Sequence, residues 1–198
     1  MKKPIVVGIT GGIGSGKSTV VEIFKDFDVP AYISDIKAKY LMQTNPNLIN
    51  SIKQNFGNQT YDEDGKLNKT YLSDIVFNNP EKLKILNNLV HPAVREDFKK
   101  WLSYQNSAYV VYESALIFEL HQEDNFDYIV LVIAPKDLRI KRVQDRDNVS
   151  EDDVKKRMDK QMDDRLKRKK ADYIIENIDI NNLNKEIYKI NVNILEKC

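Results

Sequence analysis

The sequence predicts an α/β fold in three layers, with a parallel sheet of about five strands between helices and a helical segment inserted into it. Three observations carry this. Short apolar runs without strict alternation recur at Ile5–Ile9, Tyr109–Tyr112 and Tyr128–Ile133, as expected of strands buried on both faces. Helical spacings of apolar residues separate them. The first run meets a glycine cluster that leads into a helical pattern, so the chain opens as a strand–turn–helix unit.

The elements follow in order. After Ile5–Ile9, the stretch Ser18–Asp28 places Val20, Val21, Ile23, Phe24 and Phe27 at helical spacing. Pro30–Ser34 reads as the second strand, giving a βαβ unit with a right-handed crossover. No comparable strand occurs from Ile36 to Ser107. That stretch reads as helices broken by Asn45-Pro46 and Asn79-Pro80, with a turn at Tyr61–Gly65 and a helix junction at His91-Pro92. Leu83, Leu86, Leu89 and Val90 share a helix face, as do Val94, Phe98, Trp101 and Leu102, and Trp101 is expected in the core. Some 70 residues exceed an ordinary crossover, so 36–107 is expected to be an inserted helical subdomain. Tyr109–Tyr112 and Tyr128–Ile133 are the third and fourth strands. Residues 136–170 carry 14 basic and 9 acidic residues, a net +5, with a helix start at Ser150 followed by acids. Tyr173–Ile175 is a fifth strand. Leu183, Ile187, Ile190 and Ile194 line one face of a closing helix.

Composition narrows the function. The 198 residues hold 31 basic and 30 acidic side chains, net +1, which excludes a polybasic nucleic-acid binder. The run Lys167–Lys170 lacks aromatic interleaving and is expected to be a helix surface or a phosphate contact. A single cysteine, Cys198, permits no internal disulfide and fits a reducing compartment. Two histidines and one cysteine build no zinc site without carboxylates. The N-terminus shows neither a signal sequence nor a span, so a soluble cytoplasmic protein without nucleic-acid or membrane partners is expected. The sequence sets no oligomeric state.

Gly11-Gly12-Ile13-Gly14-Ser15-Gly16-Lys17-Ser18 matches G-x-x-x-x-G-K-[ST] in full, after a buried strand and before an amphipathic helix. Glycines let backbone N–H groups converge on an anion, and the helix N-terminus adds its positive dipole end. Gly12, Ile13, Gly14, Ser15, Gly16, Lys17, Ser18 and Thr19 are therefore the candidate nucleotide-binding residues. Lys17 would reach the β- and γ-phosphates and Ser18 a Mg²⁺ ion. The fold is thus a P-loop α/β/α fold that takes ATP or GTP. Guanine reading is disfavoured, because the strings starting Asn68-Lys69 and Asn184-Lys185 lack the aspartate two places on, and Asp62–Gly65 has no strand leading into it. A small-molecule kinase is the main reading; a nucleoside or nucleotide kinase and a non-catalytic nucleotide-dependent module are the alternatives.

In an open parallel sheet, ligands gather beyond the carboxyl ends of the strands. Asp35 follows the second strand and Glu113 the third. Asp35 is the candidate base for an acceptor hydroxyl, or an N-cap for the helix beginning near Ile36. Glu113 would hold a metal-bound water or the substrate. Arg139, Arg142 and Arg146 fall on one helix face in the basic stretch, and Arg142 or Arg146 would steady a transferring phosphoryl group from a mobile lid.

These residues together resemble the dephospho-CoA kinase family from about Ile5 to Asn177. The strings that carry the resemblance are Gly8–Ser18, Asp64–Lys69, Val76–Glu81, Leu89–Pro92, Glu113–Glu119, Arg142 with Arg146-Asp147, Gln161-Met162, and Ala171–Asn177. The resemblance implies an ATP- and Mg²⁺-dependent kinase acting on dephospho-CoA. Its nucleotide-binding core would be 1–35, 108–135 and 171–198, its substrate-binding insertion 36–107 and its lid 136–170. It further implies Asp35 as base, Asn177 near the adenine, and Asp35, Lys39, Lys69, His91, Glu113 and Leu116 on the substrate side. The chain departs from the family pattern at Ile33, Lys39, Lys69 and Ala115; lysine for arginine keeps charge and loses the bidentate fork.

Overall fold

The computed structural model describes residues 3–77 and 79–198. Met1 and Lys2, part of the N-terminus expected to lack a signal, and Asn78 of the 76–81 string lie outside the described residues. Five strands form one sheet: β1 (Ile5–Thr10), β2 (Ala31–Ile33), β3 (Tyr109–Glu113), β4 (Tyr128–Ile133) and β5 (Tyr173–Glu176). Their order is β2-β3-β1-β4-β5 and every pair is parallel. The helices are α1 (Lys17–Asp26), α2 (Ser34–Thr44), α3 (Pro46–Phe56), α4 (Lys69–Phe77), α5 (Pro80–Leu102), α6 (Lys136–Asp147), α7 (Glu151–Met158), α8 (Asp164–Arg168) and α9 (Ile180–Leu195).

The continuous apolar runs are explained by burial on both faces. Along β4, Val130 and Val132 enter a core cluster with Val20 and Phe24 of α1 and Leu183, Ile187 and Ile194 of α9. Ile129, Leu131 and Ile133 point the other way, against Ile117, Phe118, Met162 and Ala171. This two-sided burial makes the three layers. Phe24 and Leu131 are fully buried, and each such side chain contributes roughly 1.5–3 kcal/mol. Sheet order reverses around β1, so β1 and β3 flank the switch point where ligands of open α/β sheets bind. At the β5 edge, Lys197 lies over the rings of Tyr128 and Tyr173 and donates to the Tyr173 hydroxyl at 2.9 Å.

The chain divides into two compact units, Met1–Ile33 with Gln105–Cys198, and Ser34–Tyr104. In the second, α2, α3 and α4 all pack on α5. The Asn-Pro pairs start helices rather than merely breaking them. Asn45 Oδ1 accepts from the Asn47 and Leu48 N–H groups, and Asn79 Oδ1 from that of Lys82, with proline at the first helical position each time. The turn at Tyr61–Gly65 forms, closed by Gly65 N–H to the Asp62 carbonyl at 3.0 Å.

Four local expectations are corrected. His91-Pro92 is no junction, because α5 runs through it for 23 residues, with Val90 and Val94 buried on either side of the proline. The helix after β2 begins at Ser34, so Asp35 sits in its first turn rather than at its cap. Trp101 is only half-buried, its ring stacked on Phe98 at 5.9 Å. Lys167–Lys170 is not uniformly a surface, since Lys167 is fully buried.

Candidate active site

The phosphate loop joins β1 to α1. Gly16 caps α1 at φ +90°, a left-handed conformation open to glycine. No side chain caps this helix and its first turn has no acid, so its leading N–H groups are left for an anion. Lys17 Nζ donates to the Gly11 carbonyl at 2.9 Å and lies 3.4 Å from that of Gly12. Ser18 and Thr19 are exposed on the outer face of the first turn.

Residues distant in sequence close around the loop. Asn177 is buried and its side-chain amide donates to the Ser15 carbonyl at 2.9 Å. Arg142 Nη2 donates to the Asn177 carbonyl at 3.2 Å. Its Nη1 is buried without a hydrogen-bond partner among the described residues, as are Thr10 Oγ1 and Ser15 Oγ. Gly16, Thr19, Arg142, Asn177, Ile178 and Asp179 line a cleft of about 440 Å³. A Cβ on Gly16 would lie 1.8 Å from Asn177 Nδ2 and 3.7 Å from Arg142 Nη1, so the cradle is shaped by the missing side chain. An unpartnered buried guanidinium nitrogen beside uncapped amides fits a nucleotide phosphate chain.

The first unit therefore brings together Gly12–Thr19, Arg142 and Asn177. It does not turn Arg146 the same way. Arg146 is exposed and forms a bidentate pair with Asp147, at 2.7 and 3.0 Å, and Arg157 shares that carboxylate at 3.0 Å. The guanidinium of Arg146 holds the Asp147 carboxyl below the usual carboxylate range, chiefly through this hydrogen-bonded pair. Glu113 ends β3 buried at 6% exposure, in register with Ile9 and Ile33, and Leu116 is partly exposed beyond it.

In the second unit, Asp35 is exposed in the first turn of α2 and His91 is half-buried on α5. Burial pushes the His91 pKa down, with the Arg95 charge adding to this and the Asp35 carboxylate opposing it. Lys39 and Lys69 both line a cleft of about 580 Å³, walled by Tyr40, Met42, Leu67 and Leu72.

Two residues that the sequence names without a role at the loop hold it in place. Arg139 is buried, donates from Nε to the Ile13 carbonyl at 2.9 Å and pairs with Asp164 at 2.9 Å. Gln161 Oε1 accepts from the Ile13 N–H at 2.8 Å. The signal for Gln161 is its place in a family string, and that for Arg139 its place on the helix face shared with Arg142 and Arg146.

A parallel sheet with its glycine loop after the central strand, and an arginine-bearing helix after the fourth, defines a P-loop nucleotide-binding protein. The model of the dephospho-CoA kinase family matches residues 5–182. The dephospho-CoA kinase of Staphylococcus saprophyticus is 36% identical over 178 residues, covering 89% of this chain and 86% of that protein. TT1252 from Thermus thermophilus superposes with a TM-score of 0.87 at 33% identity, over 97% of this chain and 98% of that one. Dephospho-CoA kinase from Campylobacter jejuni superposes with a TM-score of 0.66 at 28% identity, over 98% of each chain. The chain belongs to the dephospho-CoA kinase family.

Proposed function

We propose that this protein transfers the γ-phosphoryl group of ATP to the ribose 3′-hydroxyl of dephospho-CoA, giving CoA and ADP, the last step of CoA synthesis. The carrying observation is the family match across residues 5–182 on a chain whose phosphate loop, Gly11–Ser18, is complete.

The residues divide the work. Within the loop Gly12 to Thr19, the N–H groups at the start of α1 and the Lys17 ammonium hold the β- and γ-phosphates, while the Ile13 N–H stays with Gln161 and that of Ser15 with the Gly12 carbonyl. Arg142, anchored to Asn177, steadies the charge on the transferring group, and Arg146 reaches it when released from Asp147. Asp35 accepts the proton of the 3′-hydroxyl as its oxygen bonds phosphorus and the bond from phosphorus to the β–γ bridging oxygen breaks. Lys39, Lys69, His91, Glu113 and Leu116 contact the acceptor, and Asn177 borders the adenine. Mg²⁺, held by Ser18 and phosphate oxygens, would neutralise phosphate charge. Such sites use few protein ligands, and among the described residues no cluster of three or more His, Cys, Asp or Glu forms.

In this reading 1–35, 108–135 and 171–198 are the nucleotide core, 36–107 the acceptor-binding insertion and 136–170 the lid. Among the described residues no helix is long and apolar enough to cross a membrane. In the same reading the reaction runs in the cytoplasm, which the single cysteine, fitting a reducing compartment, supports. The test is ADP release from ATP with a panel of acceptors. Dephospho-CoA is expected to stimulate release far above adenosine, other nucleosides or nucleoside monophosphates. Turnover with a nucleoside and none with dephospho-CoA would overturn the assignment.

A further inference from the structure

Ile13, the middle residue of the phosphate loop, is held in three ways by one downstream stretch. Its N–H donates to Gln161 Oε1 at 2.8 Å. Its carbonyl accepts from Arg139 Nε at 2.9 Å. Its side chain packs on a cluster formed by Ile140 and Val143 of α6 and Val154 of α7. Gln161 lies between α7 and α8 and is itself fixed. Its own N–H donates to the Met158 carbonyl at 2.9 Å, and the next N–H, that of Met162, donates to Glu119 Oε1 at 3.0 Å. Glu119 is 14% exposed and lies 2.7 Å from Nζ of Lys167, which is fully buried. That contact is electrostatic rather than a well-aligned hydrogen bond, because Lys167 Nζ meets no partner at hydrogen-bonding angles among the described residues. Breaking such a pair leaves an uncompensated buried charge, so the segment carrying Gln161 has little freedom to drift.

A phosphate loop acts through N–H groups fixed in advance of the anion. Four glycines between positions 11 and 16 give this loop conformational freedom that must be lost before its amides converge. Clamps on Ile13 remove that freedom in the protein itself, so less of it is charged to nucleotide binding.

We infer that Gln161 is a positioning residue for the nucleotide: by accepting the Ile13 N–H, it presets the phosphate loop and raises its affinity for ATP. The inference rests on the reading that the loop binds ATP and is independent of which acceptor the enzyme uses.

The test compares Gln161→Met, which keeps length and loses the acceptor, with Gln161→Glu, which keeps an oxygen acceptor. Hydrogen exchange of the Ile13 amide, followed by NMR without substrates, reads the clamp directly. In Gln161→Met it is expected to speed up at least ~10-fold, the scale of one net hydrogen bond, with the Val20 and Phe24 amides unchanged. In Gln161→Glu, Ile13 is expected to stay as protected as in the parent. By calorimetry and steady-state kinetics, Gln161→Met is expected to raise Kd and KM for ATP about tenfold, leaving the acceptor KM within about twofold. Unchanged Ile13 exchange in Gln161→Met, or equal acceleration in both variants, would overturn the clamp. Unchanged ATP affinity with Ile13 deprotected would overturn its role. Failure of dephospho-CoA as acceptor would leave the exchange and ATP-affinity results standing.

Discussion

The side-chain amide of Asn177 is hydrogen-bonded to the Ser15 carbonyl at 2.9 Å, across 162 positions of sequence. That partner is a backbone group of the loop, so the contact sets where the loop turns into α1. The space it fills is the space a Cβ on Gly16 would need, 1.8 Å from Asn177 Nδ2, at a φ of +90° that side chains rarely adopt. Gly16→Ala is therefore expected to weaken ATP binding at least ~100-fold, since steric overlap and left-handed strain add. Titration calorimetry with ATP checks this. Asn177→Ala opens space and removes one bond, and about a tenfold loss is expected.

Asp35 stands in the first turn of α2 directly after β2. Asp35→Asn keeps the shape and removes the proposed proton acceptor. A kcat loss of at least ~100-fold is expected, with ATP affinity unchanged. Single-turnover kinetics beside calorimetry separate the two. Near-normal turnover would reduce Asp35 to a residue that favours the helix N-terminus.

Arg142 holds the Asn177 carbonyl with one nitrogen and keeps another buried beside Gly16. Arg142→Ala is expected to lower kcat about 10²–10³-fold, the range for losing one preorganised charge donor. Arg142→Lys should recover little, because one ammonium cannot serve both positions. Recovery to within a few-fold, read by steady-state ADP release, would mean that charge alone matters.

His91 makes stability depend on pH. Its folded pKa lies below the ordinary value of 6.5, mainly through burial, so the unfolded chain binds a proton more readily than the fold. The contribution is present in full above the unfolded value and is lost as pH falls through the folded one. Melting temperature is expected to drop below about pH 6.5, and His91→Gln to flatten that part of the profile. Thermal scans between about pH 5 and 8 check it. A profile identical to the parent's would assign the slope to other groups.

The strands, the loop and the closing helix could be read from sequence because each has a local cause. Burial on both faces makes a continuous apolar run, and an anion cradle needs glycine at fixed spacing. α5 could not be read so, because proline usually ends a helix, and only the tertiary packing of Val90 and Val94 shows that it continues. Lys167 looked like surface in a run of four cations; its burial depends on Glu119, far away in sequence. Gln161 and Arg139 reach Ile13 over 148 and 126 positions, and no periodicity encodes such a contact.

The insertion occupies a single crossover. The chain leaves the sheet at Ile33 and returns at Tyr109, while Ala31, Tyr32 and Ile33 pair with Val111, Tyr112 and Glu113. That pairing is written in the first unit alone. Residues 34–104 can therefore be substituted, lengthened or shortened without renegotiating how the sheet zips together.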